Sequence, residues 1–294
     1  MKLGKLGVWQ STDGMTSEQA AAFAQRLEGW GYAAWWMPEA RGRNPLAMAG
    51  FLLARTTRLV IATGIANIYA RDAQATRAAQ LGLAEQSGGR FLLGLGVSHV
   101  PMVEGLRGHA YGKPVATMRA YLEAMDKAGY AAPMPAEPPK TVLAALGPKM
   151  LELAAAKADG AHPFLVTPAH TARARAALGP GKLLYPEQKV ILATDAASAR
   201  KTARAALARY LALENYRNNL LGLGFGLGEL EGGGSDRLVD ALVAWGDAGA
   251  IRARIDEHLR AGADHVCIQA LRGEGDMAVG PDETLLAALA PGFA

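Results

Sequence analysis

Cysteine is all but missing, with one thiol, Cys267, in 294 residues. A single cysteine excludes an intramolecular disulfide and any cysteine-based metal site. It lies in an apolar run, HVCIQAL, where it reads as a small core residue. Charge of one sign is scarce too. The basic excess is only +4, and the arginines are spread thinly along the expected helices as solvated faces. A nucleic-acid partner is therefore not expected. No uninterrupted apolar stretch is long enough to span a bilayer, which argues against a membrane partner. The opening MKLGKLGVW has neither the long apolar segment nor the cleavage site of a signal peptide. The expectation is a soluble, cytoplasmic protein. No G-x-G-x-x-G fingerprint opens the first strand-to-helix turn, which weakens a Rossmann reading. No strand end offers a Schiff-base lysine or a His/Asp/Glu cluster, so no metal site is expected, nor an aldolase-like reaction.

What is present is alternation. Half of the residues are hydrophobic, enough for one large core spanning residues 1–294. Strands are expected at Leu3 to Trp9, Ala33 to Met37, Leu59 to Asn67, from Phe91, Thr141 to Ala145, near Gly160 to Leu165, near Gln188 to Ala193, and Asp264 to Leu271. Helical patterns separate them, the first capped by Thr16 or Ser17. Eight strands alternating with helices favour an α/β fold of the (β/α)8 TIM-barrel type. The segment from Glu214 to Gly234 interrupts the alternation as an insertion after helix seven. Its apolar Tyr216, Leu220, Leu221 and Phe225 argue against a pure linker.

Two stretches point to a site. LVIATGIANIY (59–69) and FLLGLGVSHVP (91–101) each begin as a buried strand and end in small or polar residues. Polar groups at the C-terminal ends of parallel strands are how such a barrel builds an active site. Glycine there lets a flat ligand approach the backbone closely. Among the histidines, His99 ends the fourth strand and His162 the sixth, whereas His109, His170, His258 and His265 read as solvated. Ser87-Gly88-Gly89-Arg90 lies on the opposite face and reads as structural.

The segments WWMPEARGR (35–43), ATGIANIYARD (62–72), SGGRFLLGLGVSHVP (87–101), AALGPKMLELAA (144–155), DGAHPFLVTPAHT (159–171) and NYRNNLLGLGF (215–225) resemble, in this order and spacing, the luciferase-like flavin monooxygenase superfamily. More narrowly they resemble its coenzyme F420-dependent oxidoreductases. The resemblance implies a deazaflavin at the C-terminal ends of the strands, with FMN as the alternative. It implies a non-prolyl cis peptide at Gly64-Ile65, with Ile65 pressing on the ring and Asn67 bonding its edge. Unaided, the sequence reads Asn67 as a turn residue. Val97 and Ser98 fall beside the ring, and Glu39 falls where the family places an acid against it. A histidine follows that acid in the sugar-phosphate dehydrogenases of the family, but Ala40 stands here. His99 stands where those relatives carry glutamate, so their activity is not expected. Leu146, Gly147, Pro148, Lys149 and Met150 fall at the family's cofactor-phosphate site, with the N–H groups of Gly147, Lys149 and Met150 as donors. Unaided, this stretch reads equally as an ordinary junction. A homodimer is a further carry-over.

The chemistry implied is hydride transfer between the cofactor and a small organic substrate, with His99 and Glu39 as the catalytic pair. Trp9, His162, Tyr216 and Asn219 are the candidates for the substrate wall. The competing expectations are an FMN-dependent monooxygenase and a non-catalytic flavin- or deazaflavin-binding protein.

Overall fold

The computed structural model describes residues 3–272 and 280–292. The first half runs β1 (Leu6–Trp9), α1 (Ser17–Gly29), β2 (Ala34–Met37), α2 (Pro45–Arg55), β3 (Val60–Thr63), β4 (Ala66–Asn67), α3 (Ala73–Gln86), β5 (Phe91–Gly96), α4 (Pro114–Asp126) and β6 (Thr141–Leu143). Then follow α5 (Pro148–Lys157), β7 (Gly160–Ala161), α6 (Pro168–Leu178), β8 (Leu183–Leu184), β9 (Glu187–Leu192), α7 (Ala196–Leu211) and α8 (Glu214–Gly222). The chain closes with α9 (Asp236–Leu242), β10 (Val243–Gly246), α10 (Ala248–Arg260), β11 (Val266–Ala270) and α11 (Glu283–Ala288).

The strands form one curled, parallel sheet in the order β10-β9-β11-β1-β2-β3-β5-β6-β7-β8, with β4 beside β5. Chain continuity brings the two sides of that path together, because only Tyr185 and Pro186 separate β8 from β9. On one edge of this stretch the Leu183 and Tyr185 N–H groups donate to the Asp159 and Ala161 carbonyls. On the other edge the Asp264 and Cys267 N–H groups donate to the Leu184 and Pro186 carbonyls.

Strand alternation then sorts the side chains into two cores. Trp36, Ala62, Leu92, Val142, Tyr185 and Cys267 pack inside the curl. Trp35, Ile61, Phe91 and Leu93 face the helices outside it. The adjacent tryptophans show the division. Trp35 meets Phe23 of α1 edge-on at 5.0 Å, and Trp36 stacks on His162 at 4.4 Å inside. Capping follows sequence chemistry. Thr16, not Ser17, caps α1 in a reciprocal box with Gln19, and Asn44, Asp72, Thr167 and Asp195 cap α2, α3, α6 and α7. The guanidinium of Arg90 donates to the Leu53, Leu59 and Ser87 carbonyls, tying down the N-terminal ends of the strands.

Besides the short added strand β8, the structure departs from expectation in four places. Residues 235–263, given no element above, form α9, β10 and α10. The reason is that α9 passes into β10 from Leu242 to Val243 with no turn residue between, so the change of period is hidden in one apolar run. The expected third strand is split at Gly64-Ile65, which is a cis peptide. The expected sixth strand shrinks to Gly160–Ala161, as Pro163 lacks an N–H and Leu165 takes a positive φ of 58°. Lastly, His170, His258 and His265 are buried, not solvated. Most of their ring nitrogens have protein partners, His170 Nδ1 being left without one. His258 bonds Thr171 Oγ1 and Gln188 Oε1 at 2.8 and 2.9 Å. His265 bonds the Gly4 carbonyl and accepts from Trp36 Nε1. His170 bonds the Leu146 carbonyl at 2.8 Å. His109 is exposed, as expected.

The segment 214–234 folds as α8 and a 3₁₀ turn, Leu227–Leu230. Tyr216, Leu220, Phe225 and Leu230 share a separate apolar cluster with α7 and α9.

Candidate active site

A cavity of about 720 Å³ opens where the strands end. Every expected site residue lines it except Asn67 and Asn219. Asn67 is buried, and its side-chain oxygen accepts the Tyr69 N–H at 2.9 Å, which is the turn role the sequence offers unaided. Asn219 is half-buried on α8, with Nδ2 left without a partner.

The floor is the Gly64-Ile65 bulge, held from three sides. Trp9 Nε1 donates to the Gly64 carbonyl at 2.7 Å. The Ile65 carbonyl accepts the Glu39 N–H, and a Glu39 carboxylate oxygen accepts the Asn67 N–H at 2.8 Å. Ile65 packs beneath Gly96, where a Cβ would lie 2.6 Å from its side chain. Glycine at 96 is therefore a close-approach requirement. Thr63 pins the same region by bonding both backbone groups of Gly94 at 2.8 Å. The other Glu39 oxygen pairs with Arg71, with Arg107 at 3.9 Å. Both carboxylate oxygens thus have partners within the protein.

One wall is aromatic. Phe164 lies 5.1 Å from Trp9 and 5.2 Å from Tyr210, and Tyr216 lies 5.5 Å from Tyr210 and 5.7 Å from His99. Behind it sits a buried ion pair, Lys189 Nζ to Glu187 Oε1 at 3.0 Å. The ammonium also lies 3.9 Å from the Phe164 ring centre. Burial lowers the Lys189 pKa, opposed by Glu187.

Two histidines reach the cavity. Burial lowers the His99 pKa, opposed by a hydrogen bond to Asn215, so the ring is neutral near pH 7. Ser98 beside it takes a left-handed φ of 57°. Burial pushes His162 down to about 4, opposed by the Tyr185 carbonyl. Its Nδ1 lies 2.7 Å from that carbonyl and so carries the proton, leaving Nε2 as a bare acceptor. This buried Nε2 has no partner and lies beside Gly64.

Opposite stands the start of α5. It has no side-chain cap, and a Cβ at Gly147 would meet open space. The Met150 N–H is already bonded to the Gly147 carbonyl at 3.2 Å, so of the three expected donors only those of Gly147 and Lys149 lack a main-chain partner among the described residues. Sequence reasoning missed Arg209, Tyr210, Leu213 and Asn215, which enter from the end of α7 and the start of α8. Their distance in sequence from every strand end hides them.

These features can be set beside known proteins. The family model for luciferase-like monooxygenases matches residues 1–265. The chain belongs to this family. A Mycobacterium tuberculosis (H37Rv) protein assigned to the coenzyme F420-dependent oxidoreductases is 33% identical to this luciferase-like chain over 124 residues. That match covers 42% of the chain and 35% of the relative, so the chain spans about a third of its length. The F420-dependent tetrahydromethanopterin reductase of Methanopyrus kandleri superposes with a TM-score of 0.74 at 15% identity, covering 99% of this chain and 98% of that one. The FMN-bound oxygenating constituent of 3,6-diketocamphane monooxygenase from Pseudomonas putida gives 0.69 at 14% identity, covering 99% and 97%. At these identities the superpositions establish a shared luciferase-like fold.

Proposed function

We propose that the protein is a coenzyme F420-dependent oxidoreductase that moves a hydride between the deazaflavin and a small organic substrate. The observation that carries this reading is the meeting, in one cavity, of the Gly64-Ile65 bulge, the uncapped start of α5 and the neutral ring of His99. The cavity fits a flat, phosphate-bearing cofactor. The bulge offers a surface for a ring, and the orphaned His162 Nε2 faces a position suited to an N–H or O–H donor. The free N–H groups at α5 suit an anion. Gly147 and Lys149 would hold the cofactor phosphate. Ile65, Val97 and Ser98 would flank its ring. When bound, F420 supplies a carbon that accepts or gives a hydride.

The chain's own residues supply the rest. His99, as neutral imidazole, takes a proton from the substrate hydroxyl in the oxidative direction and returns it in the reductive one. Trp9, Phe164, Tyr210 and Tyr216 exclude water beside the reacting carbon. Glu39 has both oxygens engaged within the protein and acts as a positioning residue, fixing the bulge through Asn67 and Ile65.

The FMN-bound relative keeps an FMN-dependent monooxygenase as the second reading. Separate titrations with F420 and FMN decide between them. Micromolar F420 binding with much weaker FMN binding is expected, and the reverse result moves the protein to the oxygenase reading. Binding of neither sinks both. With F420 and a substrate in hand, His99→Ala is expected to lower kcat by about 10²- to 10⁴-fold with little change in cofactor affinity. An unchanged kcat would remove His99 from the chemistry.

A further inference from the structure

A second recess, of about 500 Å³, lies between the loops that follow β2, β4 and β5. It meets the large cavity at Glu39 and Ala40, which line both. Four arginines, Arg41, Arg43, Arg71 and Arg107, face it against a single lining carboxylate, Glu39. None of the residues at the α5 start lines this recess, so it is separate from the phosphate position proposed above.

The arginines have more donors than the protein satisfies. Arg71 Nη1 and Arg107 Nε are buried without a partner, although both belong to guanidinium groups that touch Glu39. Glu39 does not reach either of these two atoms: its oxygens face Nη2 of Arg71, Nη2 of Arg107 and the Asn67 N–H. Arg41 is exposed and has no partner among the described residues. Arg43 donates only to neutral groups, Ser17 Oγ at 3.1 Å and the Met15 carbonyl at 2.7 Å. A further carboxylate close by, Asp13, is engaged by the Arg43 backbone N–H. Buried cationic N–H groups without acceptors are costly, and a planar guanidinium fork matches the oxygens of a carboxylate or phosphate.

We propose that this recess is an anion subsite that holds an acid group, carboxylate or phosphate, of a ligand whose body lies in the large cavity. For the substrate class this rests on the functional reading above: the substrate is then an organic acid or phosphate ester. The acidic side chain of the cofactor is the other source of the same chemistry.

Inorganic phosphate is the first probe. Ligand-free protein is titrated calorimetrically with phosphate at ionic strength held constant with sodium chloride. Wild type, Arg107→Gln and Arg41→Gln are compared. Saturable binding is expected, weakened about tenfold by R107Q and about threefold by R41Q. Because Arg41 has no partner to lose among the described residues, R41Q tests the recess even if R107Q fails to fold. No saturable binding, or binding that neither variant weakens, overturns the proposal.

The second arm separates the sources. F420 is compared with the same deazaflavin lacking its phosphate-bearing side chain. If R107Q weakens F420 about tenfold but leaves the truncated compound unchanged, the acid group belongs to the cofactor. If neither changes, and phosphate still binds beside saturating F420, it belongs to the substrate. Failure of F420 and FMN to bind would sink the functional reading alone, because the phosphate arm uses protein without cofactor.

Discussion

Lys189→Met is expected to cost about 3–5 kcal/mol of stability, the usual loss when one partner of a buried ion pair is removed. Lys189 and Glu187 are each 1% exposed in their side chains, so water cannot solvate the charge left behind. Glu187 would keep one good donor, the Leu165 N–H at 3.1 Å, and would face the aromatic wall with its charge uncompensated. For a chain of this size the thermal midpoint should fall by roughly 10 °C. The double variant Lys189→Met/Glu187→Gln should recover much of that loss, since no buried charge remains. A double-mutant cycle by urea denaturation measures the coupling. Losses that simply add would show that the pair is not a unit. The position matters for the site as well. The ammonium lies under Phe164 and Tyr210, so its removal should also weaken binding of any ligand packed on that wall.

Acidification should be as damaging. Burial holds His162 and His265 at about 4 and His258 at about 3, opposed at His162 and His265 by backbone carbonyls. Each folded value lies below the unfolded one of 6.5, so between the two the unfolded chain binds more protons. Stability from these groups is therefore complete above pH 6.5 and falls as pH drops toward 4. At pH 5 the loss is roughly 2 kcal/mol for each histidine, or about 6 in all, comparable with the whole stability of many domains. Denaturation midpoints measured at steps from pH 7.5 to 4.5 test this. A flat profile across pH 6.5 to 5 would show that the rings are protonated without unfolding.

The outline of this protein was legible because its elements announce themselves locally. The runs Val60–Thr63 and Phe91–Gly96 are apolar, bounded by turn residues, and separated by a helix that Asp72 caps. Most of the cavity lining came from strand ends and from the GPKM helix start, where sequence position alone implies place. The failures share a cause. Strand β10 follows α9 without punctuation, and Arg209, Tyr210 and Asn215 reach the cavity only because α7 and α8 fold back over it. Three histidines were misplaced because polarity says nothing of burial when the partners, such as Gln188 for His258, are about 70 residues away.

By itself, then, the sequence determined the class of fold, the exclusion of an intramolecular disulfide and the strand ends that line the cavity. Those follow from period, composition and turn chemistry, which act over a few residues. Only the tertiary structure decided which groups meet. It placed both oxygens of Glu39 against Asn67 and Arg71, left His162 Nε2 bare, hid Lys189 behind an aromatic wall and gathered four arginines and one carboxylate around a single recess. Such pairings depend on distances across the curled sheet and between its loops. Charge, burial and proton affinity are set there and not along the chain.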